Sequence, residues 1–85
     1  MQTDQASLSE RVQIVLADAL RVPPEQVTAD LHFGDLPQWD SMGHMEVMML
    51  LDEKFGVEIN ADTIADLTSI PNICAYLEAH DLAQE

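Results

Sequence analysis

Residues 42–55 form the longest helically periodic run in the chain, and the run has a marked beginning and end. Asp40 stands where an N-cap carboxylate would accept from the first free backbone N–H groups and meet the positive end of the helix dipole. Gly56 stands where a C-cap glycine would close the helix. A helix over 41–55 is therefore expected, with Ser41 exposed in its first turn. At about 100° per residue, His44, Val47, Met48, Leu51 and Phe55 share one arc, the core face. Met42, Met45 and Met49 fall elsewhere, interleaved with Glu46, Asp52 and Glu53. Either a short bundle buries this helix on several sides, or the second strip is a docking surface. In the latter case flexible, polarizable methionines contact partners while acids orient basic ones. Met42 and Met49 share the acids' arc and are expected to be exposed; Met45 stays open between the two readings.

The rest of the chain supplies partners for that helix. Ser7 with Glu10 is a capping-box signature, and Leu8, Val12, Val15, Leu16 and Ala19 follow one face, so a first helix is expected over 7–20, with Thr3 an alternative start. Pro23-Pro24 stops it. Residues 22–39 read as a long loop with one helical turn at 24–27, pinned to the core by Val27, Leu31, Phe33, Leu36 and Trp39. An extended connection buries Val57 and Ile59. A short third helix is expected over 62–67. Ser69 caps a fourth with Pro71 in its first turn and Ile70, Ile73, Cys74 and Leu77 inward, and residues after His80 fray. The expected fold is all-α, a four-helix bundle of three longer helices and one short third. It forms a single domain over residues 1–85 with an ordered core of about 5–80, and a chain this small buries roughly 60% of its unfolded surface.

Charge narrows the partners. Sixteen acids against three Lys+Arg give a formal net charge of −13, which makes nucleic acid and anionic membranes poor partners and basic protein surfaces good ones. No apolar run is long enough to span a bilayer and no secretory signal is evident, so a cytoplasmic monomer is expected. A single Cys74 excludes an internal disulfide and a cysteine-based zinc cluster, and His32, His44 and His80 follow no metal-ligand spacing; no metal site is expected. Asp40, Ser41 and His44 do not make a hydrolytic set, because consecutive side chains diverge and His44 points to the core arc. Cys74, on an inner helix face, reads as a small core residue. No catalytic residue is expected, and the chain is not read as an enzyme.

Asp40-Ser41-Met42 resembles the Asp-Ser-Leu motif of the acyl and peptidyl carrier proteins. The resemblance continues without a gap through HMEVMMLLDEKFGVEI (44–59) and ADTIADLTSIPNICAYL (61–77). It implies that Ser41 carries a 4′-phosphopantetheine arm, transferred from coenzyme A with magnesium by a holo-carrier-protein synthase (a phosphopantetheinyl transferase). Asp40 would match the aspartate that positions the serine. Glu46, Asp52 and Glu53 match acidic positions of the recognition helix, and Met42 and Met49 its exposed apolar contacts. The implied partners also include a loading ligase for an acyl or aminoacyl group and downstream synthases. The chain departs from Leu-Gly-x-Asp-Ser-Leu: Leu36-Pro37-Gln38-Trp39-Asp40-Ser41-Met42 is one residue longer and has proline in place of the glycine. Gly43 follows the motif where a polar residue is usual. It costs up to about 1 kcal/mol relative to alanine, and either softens the turn or admits a partner closely. The Trp-Asp-Ser-Met-Gly-His wording is more similar to stand-alone carriers of specialised pathways than to a housekeeping fatty-acid carrier. The alternative is an unmodified acidic adaptor module.

Overall fold

Each helix starts on a side chain that the sequence offers it. The computed structural model describes residues 7–82; the alternative start at Thr3, residues 5 and 6 of the expected core and residues 83–85 lie outside them. The expected fraying after His80 is not seen at Leu82, whose N–H donates to the Leu77 carbonyl at 2.7 Å and whose side chain packs against the core. Helix α1, Leu8–Leu20, opens on the reciprocal capping box. The Ser7 hydroxyl accepts from the Glu10 backbone N–H at 3.1 Å, and the Glu10 carboxylate accepts from the Ser7 N–H at 3.2 Å. After a 3₁₀ turn at Pro24–Gln26 and a loop, α2 spans Ser41–Phe55 and ends on Gly56 at φ 80°. Helix α3, Ala61–Asp66, begins one residue earlier than the sequence suggests. Asn60 is the reason, because its side chain accepts from the Thr63 N–H while the Thr63 hydroxyl accepts from the Asn60 N–H. Helix α4, Ile70–Ala79, starts on Ser69 with Pro71 in its first turn, where the missing N–H leaves nothing unsatisfied.

Helix α1 packs against α2 and α4, and α2 against α3. The core they enclose contains Val12 and Leu16 from α1, Val47, Met48 and Leu51 from α2, and Ile73 and Leu77 from α4, all buried. The all-α bundle of three longer helices and one short one is thus as expected.

The long loop is fastened at several points. Val27, Leu31 and Trp39 are buried pins. The Gln13 side-chain amide donates to the Val27 carbonyl at 2.7 Å. The Ile70 N–H donates to the Leu31 carbonyl at 3.0 Å and the Phe33 N–H to the Thr68 carbonyl at 2.8 Å, so residues 31–33 run antiparallel to 68–70. That pairing turns the Phe33 side chain outward, and Phe33 is 42% exposed rather than a core pin. Leu36, Phe55, Ile59 and Cys74 pack against the core rim and are only half-buried, less enclosed than the periodicity implied. Burial first, and then the Glu78 carboxylate, push the Cys74 thiol above its ordinary range and disfavour the nucleophilic thiolate.

Candidate functional site

The start of α2 is built by Asp40, the residue before Ser41. The Asp40 carboxylate accepts from the Gly43 N–H at 2.9 Å and its carbonyl accepts from the His44 N–H at 2.7 Å. Asp40 is therefore occupied in holding the first helical turn, and Ser41 lies exposed on that fixed turn.

Gly43 has a packing reason. A Cβ built there would overlap the Gln38 carbonyl oxygen and come within 3.1 Å of Leu20 Cδ2. The close neighbour is thus the chain's own loop, pressed onto the first turn of α2, and neither a softened turn nor an approaching partner is needed to account for the glycine.

Under this turn runs a hydrogen-bond chain that periodicity could not show. The Trp39 indole N–H donates to His44 Nδ1 at 3.1 Å, and His44 Nε2 lies 2.8 Å from the Ile64 carbonyl. A carbonyl only accepts, so Nε2 carries the proton and Nδ1 is the acceptor, which fixes the neutral tautomer. Both imidazole nitrogens are thereby engaged in the interior, linking the loop to α2 and α2 to α3. With the Asp40 carboxylate on Gly43 and His44 on Trp39 and Ile64, these residues form no nucleophilic relay through Ser41. Phe33 completes the cluster, its ring edge-on to His44 at 5.6 Å and to Trp39 at 6.4 Å.

A cavity of about 360 Å³ opens beside Ser41, lined by Phe33, His44, Met45, Ile64 and Thr68. Sequence reasoning missed Phe33, Ile64 and Thr68 as neighbours of the serine. The antiparallel pairing that brings Phe33 and Thr68 together has no local signature. The helix face next to the cavity carries the second apolar strip. Met42 is 80%, Met49 51% and Met45 41% exposed, which resolves Met45 toward the surface. Glu46, Asp52 and Glu53 are exposed as well, and with the three methionines they occupy an arc of about 120° on α2.

Comparison with known proteins bears on the same region. The sequence model of the family described as "Phosphopantetheine attachment site" matches residues 10–77. The chain is 34% identical over 74 residues to an acyl carrier protein of Chlamydia trachomatis serovar L2, covering 87% of this chain and 96% of that protein. It is 35% identical over 77 residues to an acyl carrier protein of Helicobacter pylori strain G27, covering 91% and 99%. It is also 31% identical over 74 residues to an acyl carrier protein of Thermosynechococcus vestitus, covering 87% and 91%.

Proposed function

Because the chain belongs to the acyl carrier protein family, we propose that Ser41 is its attachment point for 4′-phosphopantetheine and that the loaded protein shuttles an acyl or aminoacyl group between partner enzymes. Members of the family are carriers rather than catalysts, and their prosthetic group is 4′-phosphopantetheine. When bound, that group supplies a terminal thiol on which cargo is held as a thioester. The pathway we propose is fatty-acid-like or specialised-metabolite biosynthesis, in the cytoplasm, with the chain acting as a monomer.

The observation that carries the reading is the exposed Ser41 on a helical turn that Asp40 holds through the Gly43 and His44 N–H groups. The residues there fit the group. A phosphodiester on Ser41 would stand at the positive end of a fifteen-residue helix. The cavity lined by Phe33, Met45 and Ile64 offers apolar surface directly beside it. Asp40 holds the turn through the Gly43 N–H, so its part in the modification is to keep Ser41 presented. The test is intact mass after incubation with coenzyme A, magnesium and a broad-specificity phosphopantetheinyl transferase. The wild-type chain should gain one arm and Ser41→Ala none. An unchanged wild-type mass would favour the unmodified adaptor reading, and a gain that survives Ser41→Ala would put the arm on a residue other than Ser41.

The methionines and acids of α2 are proposed as the docking face for the transferase, the loading ligase and the downstream synthases. Met42 and Met49 make the apolar contact, while Glu46, Asp52 and Glu53 steer basic surfaces. Charge reversal at Glu46 and Glu53 together should slow modification roughly tenfold at low salt. The defect should shrink as salt is raised, since exposed charges are screened beyond about 10 Å at 0.1 M. A defect independent of salt would point to a different docking face.

A further inference from the structure

The chain has three basic side chains among sixteen acids, and two of them line the same groove. It lies between α1 and the C-terminal end of α2, has a volume of about 450 Å³, and is bordered by Arg21, Lys54, Ile14, Val22, Pro24 and Asp18. Among the described residues neither Arg21 nor Lys54 makes an ion pair, although carboxylates outnumber cations more than fivefold. Both sit at helix C-termini, where a cation meets the negative end of the dipole. The dipole does not account for Ile14, which stands in the same groove and is 57% exposed.

We propose that this groove docks an acidic peptide segment of a partner protein, with an apolar side chain seated against Ile14, Val22 and Pro24 and carboxylates meeting Arg21 and Lys54. The charges select the occupant. Two cations stand against the single Asp18 carboxylate, so the residues that line the groove carry a formal excess of one positive charge on a chain of net −13. A basic partner is better served by the acids of α2. A second copy of the chain would bring another thirteen negative charges, and an anionic membrane would meet the same repulsion over the rest of the surface.

The location gives the contact a purpose. Lys54 lies thirteen residues beyond Ser41 on α2, about 20 Å along the axis at 1.5 Å per residue. It also lies on the flank turned away from Ser41 by about 140°. A segment held there leaves Ser41 and the methionine strip open, so the groove serves as a tether that stays occupied while enzymes exchange at the other end. The inference does not depend on modification of Ser41.

The experiment is a titration of the full ¹⁵N-labelled chain with a peptide of alternating glutamate and leucine, followed by amide shifts, alongside its glutamine and lysine counterparts. The glutamate peptide should move the amides of Ile14, Asp18, Arg21, Val22 and Lys54 and leave those of Met42 and Glu46 in place. The shifts should weaken with salt, and the Arg21→Gln/Lys54→Gln double variant should bind about tenfold more weakly. These side chains are exposed, and an otherwise unchanged spectrum of the variant verifies its fold. Ile14→Gln should weaken binding without altering the salt dependence. No shift at the groove, equal shifts with the lysine peptide, or undiminished binding by the double variant would overturn the proposal. So would phosphatidylglycerol vesicles moving the same amides, or sedimentation showing a dimer that the double variant abolishes.

Discussion

Replacing Trp39 with alanine should cost about 3–5 kcal/mol, the range for truncating a large core aromatic. Trp39 is fully buried, and a small domain has only roughly 5–15 kcal/mol of net stability to lose. The effect should exceed a simple cavity, because removal of the indole leaves His44 Nδ1 without its donor in the interior. Trp39→Phe separates the two contributions. It keeps an aromatic ring and loses the hydrogen bond, and should cost about 1–3 kcal/mol. Urea denaturation midpoints of the two variants measure both. Since Trp39 immediately precedes Asp40, loosening it should also free the turn that holds Ser41, and modification of Trp39→Ala should be slower even where the chain is still folded. Equal stability of Trp39→Ala and wild type would mean that the loop is not fastened to α2 as described.

Gly43→Ala should destabilise the protein by about 1–3 kcal/mol, the usual cost of overpacking. The sign is the informative part. On an open helix the same substitution should stabilise by up to about 1 kcal/mol. Here the added Cβ would overlap the Gln38 carbonyl oxygen, a backbone atom that cannot rotate away as a side chain would. Relief requires moving the 36–39 segment off the first turn of α2, and that segment carries Trp39. A lowered melting temperature together with a shifted Trp39 indole resonance is therefore expected. A raised melting temperature would show that the loop yields freely.

These two residues also mark how far the sequence could be read. The limits of α2 were legible because both stops are local: Asp40 reaches Gly43 within its own turn, and Gly56 needs only its own left-handed backbone. The Ser7–Glu10 box located α1 for the same reason. The start of α3 was missed by one residue because Asn60 caps as a member of a pair with Thr63, and a threonine at that position is a less familiar partner than glutamate. Periodicity sent His44 inward correctly but was silent on its partners, which lie five residues before it and twenty after. Apolarity alone suggests that Phe33 is a core pin, whereas it is exposed. Its outward turn comes from the antiparallel pairing of 31–33 with 68–70, a contact across more than thirty residues. Gly43 is unusual in the sequence, but its cause is a loop carbonyl whose position only the folded chain reveals. The exposed place of Ser41 in the first turn of α2 was legible, since a motif and a capped helix start coincide there. The cavity next to it was not, because α2, α3 and the loop each contribute to its walls.

The central claim, that Ser41 is where this protein is loaded, is tested most directly by tandem mass spectrometry of the protein isolated from its own cells. A phosphopantetheine fragment released from the peptide that contains Asp40-Ser41-Met42 is expected, with the thiol of the arm free or acylated. Protein recovered without an arm, or with the arm on another residue, would contradict it.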